Sequence, residues 1–247
     1  MLNTGGFRNI PEAVKNLLII NVLMFLITLV IGEHLTYILG LFYIESPLFE
    51  PYQIVSHMFM HGGFTHLLFN MFALWMFGSI LEQVWGPKRF LIYYFVTGLG
   101  AAVLHQFVIW IEIQNLLSGL TPEDAAFYLQ KVRTEGAEII TQNQNYSAEI
   151  LGKLNGLMNI PVVGASGAVF GLLLAFGMLF PNTQLMLLFF PVPIKAKYFV
   201  ILYGALELFL GFSRFQGDNV AHFAHLGGML FGFILIKMWQ KNRSNFY

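Results

Sequence analysis

Long apolar blocks, separated by short breaking segments, constrain this chain more than any other feature. A helix needs about 17–25 mostly apolar residues to cross a bilayer. The chain offers six such blocks, at about 15–32, 64–84, 89–112, 164–181, 196–213 and 219–240. Because they lack the period-two alternation of membrane strands, helices are expected rather than a barrel. The sequence predicts an all-α integral membrane protein, with residues 1–247 forming a single domain of six transmembrane helices.

The composition agrees with a chain that lies mostly in lipid. Of its 247 residues, 57% are hydrophobic and 11% are charged, whereas a soluble domain carries about 25% charged residues. The formal net charge is zero, which gives no indication of nucleic-acid binding. Cysteine is absent, which excludes a disulfide, an iron–sulfur cluster and a thiol nucleophile. We therefore expect the lipid bilayer as a partner, and no nucleic acid.

The distribution of cations predicts the orientation, because Lys and Arg collect in cytoplasmic loops. With the N-terminus inside, nine cations face the cytoplasm: Arg8, Lys15, Lys88, Arg89, Lys195, Lys197, Lys237, Lys241 and Arg243. The four on the outer side are Lys131, Arg133, Lys153 and Arg214. The sequence therefore favours an N-in, C-in topology.

Polar residues inside the predicted spans are costly in lipid, and each is a candidate for function. Four groups stand out: His57, His61, His66 and Asn70; Gly164 to Gly167; His222 and His225; and Glu207 alone. The first three lie at the beginnings of spans two, four and six. In an N-in protein these spans all start from the outer face, so the three groups are expected at similar depth.

Ser166 lies between Gly164 and Gly167 at the start of span four. A lone G-x-S-G sequence is more often a close-packing surface for a neighbouring helix than a site. In the functional interpretation, the glycines let a substrate carbonyl approach the backbone. The N–H groups at the start of the helix would then stabilise an oxyanion.

His225 is followed on its helix by a tight-packing face of Gly228 and Gly232. This face is complementary to Gly167 and Gly171 on span four, and their contact would bring His225 within reach of the serine. A lone membrane histidine is more often structural. A serine hydroxyl, however, needs a base to take its proton before it becomes a good nucleophile.

The histidines around the start of span two divide into two pairs. His66 and Asn70 are one turn apart and share a helix face, so both are candidate hydrogen-bond donors to an oxyanion. Loss of one such donor costs about 10²–10³ in rate. His57 and His61 precede the Gly62-Gly63 pair, which should break the helix. We expect these two histidines to be structural.

The longest polar segment, 113–160, is predicted to be an enlarged loop outside the membrane, between spans three and four. A helix should begin at Thr121-Pro122-Glu123-Asp124, which provides a cap, a proline and first-turn acids. A second helix could begin near Ser147. The segment is interpreted as a surface lid, with substrate docking or regulation as the alternative.

Three motifs resemble those of the rhomboid family of intramembrane serine proteases. They are His57-Met-Phe-Met-His61-Gly-Gly-Phe-Thr-His66-Leu-Leu-Phe-Asn70, Gly164-Ala165-Ser166-Gly167, and Ala224-His225 with Gly228 and Gly232. The resemblance covers roughly residues 15–240, except 113–160. Many family members carry a Trp-Arg pair in the first loop. This chain has no arginine between Arg8 and Arg89, which leaves the anchoring of that loop open.

The resemblance implies a rhomboid-like helix bundle and a Ser–His dyad without a third carboxylate. Ser166 would attack the scissile carbonyl, and His225 would be its base and then the acid for the leaving amine. The Ser166 N–H, His66 and Asn70 would form the oxyanion hole, with His61, Gly164, Gly167 and Gly228 as structural residues near the site. No cofactor and no metal are implied.

The same resemblance implies what the enzyme would act on and where. Its substrates would be transmembrane proteins, cut in or near the membrane segment. Span five and the loop at about 213–219 would correspond to the mobile gate and cap. The expected location is the bacterial inner (plasma) membrane.

Two other functions remain open. A membrane metalloenzyme could use the ligand-like spacings His57-xxx-His61 and His222-xx-His225, but no carboxylate lies beside either pair in the sequence. An inactive rhomboid-like protein would bind membrane helices without cutting them. Glu207 is expected to pair locally or to face the cavity, and His222 to have a minor cavity-lining or hydrogen-bonding role. Neither is assigned to the site.

Overall fold

The computed structural model describes residues 10–187, 190–213 and 221–241, and the chain is mostly helical. The helices are α1 (Glu12–Ile31), α2 (His34–Leu39), α3 (Gln53–Ser56), α4 (Phe64–Ala73), α5 (Ser79–Leu117), α6 (Pro122–Lys131), α7 (Ala137–Thr141), α8 (Glu149–Asn159), α9 (Ser166–Leu179), α10 (Ala196–Ser213) and α11 (His222–Lys241). The strands are β1 (Gln184–Leu187) and β2 (Phe190–Lys195). Arg8, Arg214, Arg243 and most of the proposed cap lie outside the described residues.

Within the described ranges, four helices are long and apolar enough to cross a membrane, namely α1, the continuous helix Phe64–Leu117, α10 and α11. The second of these changes direction at Gly86, whose φ of 76° and ψ of 162° are not helical. Pro87 follows, and both residues lie in the gap between the predicted spans 64–84 and 89–112. The apolar helix α9 is shorter, at 14 residues. Six crossings result only if α9 is counted as a crossing and the two arms of the broken helix are counted separately. The number of six crossings therefore stays a prediction.

Small residues let α5, α9 and α11 approach closely at the centre of the fold. A side chain on Gly228 would overlap the backbone of Gly167, so the predicted contact between these two glycines is confirmed. The other two glycines of the predicted pair of faces pack elsewhere. Gly171 lies against Thr97, and Gly232 lies against the Tyr93 hydroxyl. Helix α5 therefore packs against both α9 and α11 beside the contact that these two helices make with each other.

A buried carboxylate fixes the first helix against α5. Glu82 accepts hydrogen bonds from the backbone N–H groups of Ala13 (2.9 Å) and Val14 (2.8 Å). The first N–H groups of a helix have no acceptor within the helix, and the helix dipole favours an anion there. Glu82 thus accepts hydrogen bonds from two N–H groups that would have no partner in lipid.

A short antiparallel hairpin was not expected from the sequence. Gln184 pairs with Lys195 and Met186 with Pro193, in the segment between the predicted spans 164–181 and 196–213. Proline is compatible with such strands because each strand of a two-stranded sheet has a free edge. The hairpin ends where α10 begins, at Ala196.

Helices α6, α7 and α8 form a second small layer, whose apolar cluster joins Leu154 and Met158 of α8 to Ile109 and Ile113 of α5. The predicted start of α6 is confirmed, because the Asp124 N–H donates to Thr121 Oγ1 at 3.2 Å. The second predicted helix is present as α8. This layer contacts the segment before α3 through the ion pair between Arg133 and Glu45.

Candidate active site

The first turns of α9 and α11 meet at the polar groups predicted for the site. Ser166 is the first residue of α9, and His225 lies in the first turn of α11. Ser166 Oγ and His225 Nε2 are 2.9 Å apart. The tight contact between Gly167 and Gly228, one and three residues further along their helices, holds the two backbones at this distance. The structure therefore brings together the serine and the histidine that the sequence paired.

The imidazole of His225 is held on its face as well as at its edge. It stacks on the ring of Phe170, with centroids 4.1 Å apart and planes within 6° of parallel. Phe170 lies one turn beyond Ser166 on the same helix. A single helix therefore holds both the face of the imidazole, through Phe170, and its Nε2, through Ser166. Only 8% of His225 is exposed.

Glu207 of α10 occupies the other side of the imidazole. Its Oε2 lies 2.9 Å from His225 Nδ1 and 2.7 Å from His222 Nδ1. All three residues are buried. The dyad implied by the family resemblance has no carboxylate at this position. Glu207 therefore contacts the predicted base directly, and His222 contacts Glu207. Neither residue was assigned to the site from the sequence.

The same three residues have the composition of a metal-binding group. One ligand atom from each of Glu207, His222 and His225 lies within 4.8 Å of the others. The lack of a carboxylate next to these histidines in the sequence is thus no argument against a metal, because Glu207 of α10 lies next to them in the structure. Among the described residues, His57 and His61 do not join this group. The expectation that the protein needs no metal stays a prediction.

The two predicted oxyanion donors lie on α4, on the opposite side of the serine. His66 Nε2 would be 2.9 Å from a side-chain carbon placed on Gly164, and Ser166 Oγ would be 3.5 Å from the same point. A weak hydrogen bond from the Gly62 N–H to His66 Nδ1 (3.4 Å) favours the tautomer with the proton on Nε2. Asn70 donates to the His66 carbonyl at 2.9 Å and lines the same cavity.

The backbone before Ser166 has a conformation that requires glycine. Gly164 has a φ of +132°, a value that L side chains rarely adopt, and any side chain there would meet the His66 ring. The Gly164 N–H donates to the carbonyl of His57 at 2.9 Å. This bond joins the loop before α9 to the loop before α4, which sets the distance between the serine and the donors.

His57 and His61 are buried beside this junction. His57 Nδ1 lies 2.8 Å from the Gln53 carbonyl, and the His61 ring packs edge-on against His66 at 5.2 Å. The ring nitrogens of His61 have no hydrogen-bond partner among the described residues. Burial lowers the pKa of His57 to about 4 and that of His61 to about 4. Both are neutral at physiological pH, which agrees with the structural role expected for them.

A large cavity of about 1310 Å³ joins these groups. Its polar wall includes Ser166, His225, His66 and Asn70. Its other walls are largely apolar and come from α4, α9, α10 and β1. The cavity therefore offers room for an apolar chain segment with its reacting carbonyl beside the serine.

The sequence of this chain is similar to those of known proteins. The family model described as "Rhomboid domain" matches residues 48–121 and 134–241. Rhomboid protein 1, mitochondrial, of Saccharomyces cerevisiae is 27% identical over 195 residues, which are 77% of this chain and 44% of that protein. RHOMBOID-like protein 5 of Arabidopsis thaliana is 29% identical over 188 residues, 76% of this chain and 45% of that protein.

A third relative is the presenilin-associated rhomboid-like protein, mitochondrial, of Mus musculus. It is 26% identical over 209 residues, 76% of this chain and 42% of that protein. The chain thus spans less than half the length of these three relatives. The family model, in contrast, covers most of this chain, including α4, α9 and α11 with all the site motifs. The chain belongs to the rhomboid family and is a multi-pass membrane protein.

Proposed function

We propose that this protein is an intramembrane serine endopeptidase that cleaves membrane-anchored proteins in or near their transmembrane segments. The observation that carries the proposal is the 2.9 Å distance between Ser166 Oγ and His225 Nε2 on the wall of a largely apolar cavity. A serine becomes a strong nucleophile only where a base can accept its proton. Membership of a family with inactive members would not by itself establish this activity, whereas a matched nucleophile and base support it.

In this mechanism, His225 Nε2 takes the proton of Ser166 as the serine oxygen attacks the scissile carbonyl. The tetrahedral intermediate collapses when the histidine gives that proton to the leaving amine, and an acyl-enzyme remains. Water then attacks the ester, with His225 again as base, and releases the acid product. The serine is regenerated, so no cofactor is consumed.

The oxyanion of each intermediate would be stabilised from two sides. N–H groups in the first turn of α9 have no acceptor within the helix, and the helix dipole adds positive potential there. The Ser166 N–H, His66 and Asn70 are the proposed donors. The tautomer favoured at His66 carries its proton on the nitrogen nearest Gly164 and the serine, as a donor must.

A substrate helix would have to unwind before it is cut, because its carbonyls are hydrogen-bonded along the helix. The cavity accommodates an extended apolar segment between α4 and α10. This apolar lining supports transmembrane proteins as substrates, and the family resemblance implies small side chains close to the scissile bond.

We also propose the N-in, C-in topology with six crossings and the 113–160 loop outside, which places the site in the outer half of the bilayer. The positions of the Lys and Arg residues support this orientation. The expected bacterial plasma membrane has no support from the three relatives named above, two of which carry mitochondrial names. The choice of membrane is therefore not part of the proposal.

The decisive experiment compares wild type with Ser166→Ala in proteoliposomes that contain a fluorescent transmembrane substrate. Ser166→Ala should abolish cleavage and labelling by a fluorophosphonate, with an unchanged unfolding temperature. Ser118→Ala, at the exposed end of α5, is the matched control and should retain both. Cleavage by Ser166→Ala would contradict the proposal.

The two alternatives give different results in the same assay. Activity that is lost to a chelator and restored by zinc would indicate a metalloenzyme, using the Glu207 group. A wild-type protein that binds membrane helices but neither cleaves nor reacts with fluorophosphonate would be an inactive binding module.

A further inference from the structure

A buried carboxylate continues the hydrogen-bonded pair of Ser166 and His225 into a chain of three groups. Ser166 Oγ lies 2.9 Å from His225 Nε2, and His225 Nδ1 lies 2.9 Å from Glu207 Oε2. An ionised carboxylate only accepts hydrogen bonds, so the proton of the neutral imidazole is placed on Nδ1. Nε2 is then left as an acceptor, facing the serine hydroxyl.

A second imidazole stabilises the carboxylate in its buried position. His222 lies three residues before His225 on α11 and donates from Nδ1 to the same Oε2, at 2.7 Å. A carboxylate in the apolar part of a membrane protein is costly unless protein donors satisfy it. Two N–H donors from one helix therefore fix Glu207 at the edge of the His225 ring.

The chemical consequence concerns the charge that develops during attack. As Nε2 takes the serine proton, His225 becomes an imidazolium, and a carboxylate at Nδ1 stabilises that cation. The same hydrogen bond holds the ring against rotation about its bond to Cβ, while Phe170 holds its plane. Without the carboxylate, either tautomer of the imidazole could form, and one of them cannot act as the base.

We propose that Glu207 is a positioning residue that turns the expected Ser–His dyad into a Ser166–His225–Glu207 triad. Glu207 fixes Nδ1 as the protonated nitrogen and stabilises the imidazolium, while His222 anchors the carboxylate. This inference rests on the proposed protease function. The triad goes beyond that function, because the family resemblance implies a base without a carboxylate partner.

Kinetics in proteoliposomes test the role of the charge. Glu207→Gln keeps the size of the side chain and removes its charge, and it should lower kcat about 10²–10⁴-fold with little change in KM. Glu207→Asp restores the charge on a shorter side chain and should recover part of the loss. Rescue by aspartate is not expected if the side chain serves only to fill space.

The matched control is Glu82→Gln, because Glu82 is the other buried carboxylate among the described residues. It holds the start of α1 and does not contact His225. Glu82→Gln should lower the unfolding temperature and leave the kcat of the folded protein unchanged. A purely structural role of Glu207 would make Glu207→Gln behave in the same way.

A spectroscopic measurement reads the tautomer directly. In micelles at neutral pH, ¹⁵N NMR of histidine-labelled wild type should show His225 protonated on Nδ1. Assignment uses the loss of the signals in His225→Ala. In Glu207→Gln the amide can donate as well as accept, so the preference for Nδ1 should decrease. This result requires no substrate and is independent of the kinetic assay.

The proposal is overturned if Glu207→Gln cleaves with the wild-type kcat, or if wild-type His225 is protonated on Nε2. It is also overturned if a chelator removes activity and zinc restores it, because the three side chains would then be metal ligands. If Glu207→Gln does not fold, the kcat of Glu207→Asp and the tautomer seen in the wild-type spectrum still test the role of Glu207. A wild type that neither cleaves nor labels would contradict the proposed protease function, while the spectrum would still show whether Glu207 sets the tautomer.

Discussion

The contact between Gly228 and Gly167 sets the distance from base to nucleophile, so one added methyl group should separate them. A Cβ on Gly228 would overlap the backbone carbonyl oxygen of Gly167. A backbone oxygen cannot rotate away, and a close carbon–oxygen contact lies at about 3.3–3.6 Å. In Gly228→Ala, α11 and α9 must therefore move apart by on the order of 1 Å.

That movement would act on a hydrogen bond with little tolerance. Ser166 Oγ and His225 Nε2 start 2.9 Å apart, and on the order of 1 Å more takes them beyond hydrogen-bonding distance. A misplacement of this size costs about 10²-fold in rate. Overpacking also destabilises a protein by about 1–3 kcal/mol. We expect Gly228→Ala to fold and to lose about 10²-fold in kcat.

The assay combines cleavage in proteoliposomes, the rate of fluorophosphonate labelling and the unfolding temperature. Gly204→Ala on α10 is the matched control, because its added carbon would meet only the flexible end of the Met229 side chain, at 3.2 Å. It should keep nearly wild-type labelling. A Gly228→Ala protein that labels and cleaves at the wild-type rate would refute the idea that this helix contact positions the base.

Two further predictions concern the oxyanion side of the site, and a third concerns the stability of the fold around His57. Gly164→Ala should abolish activity, because the +132° φ and the His66 ring exclude a side chain there; wild-type cleavage would contradict this. Asn70→Ala should lower kcat about 10²–10³-fold with the unfolding temperature nearly kept, and an unchanged kcat would remove Asn70 from the proposed donors. Because burial lowers the pKa of His57 from 6.5 to about 4, protonation favours the unfolded state as pH falls from about 6.5 to 4. That loss of stability is about 3 kcal/mol at most, and it should be smaller in His57→Gln when the free energy of unfolding is measured against pH. Equal slopes of this free energy against pH in wild type and variant would contradict the prediction.

Local features of the sequence predicted the helices well. The predicted span 196–213 coincides with α10 at both ends. The gap predicted between spans two and three contains the non-helical Gly86, and the predicted cap at Thr121 is also present. Each of these depends on a few consecutive residues, such as an apolar run, a glycine with positive φ or a capping hydroxyl. Such features do not need knowledge of the neighbouring helices.

Contacts between helices were predicted less completely. The Gly167 and Gly228 contact was correct, but Gly171 packs against α5 rather than α11. A small residue shows that some neighbour comes close, and it does not show which one. The hairpin was missed for a related reason, since both strands are short and β2 contains two prolines.

Glu207 shows where a stronger prediction was available. In an N-in protein, odd-numbered spans end at the outer face, just as even-numbered spans begin there. Glu207 lies about six residues before the end of span five, and His225 about six residues after the expected start of span six. At 1.5 Å per residue, both are about 9 Å below the same surface. A glutamate at that depth needs protein donors, because lipid offers none. The histidines at the beginning of the next span lie at the same level, so the depth rule that grouped the serine with its base also predicts a carboxylate beside that base.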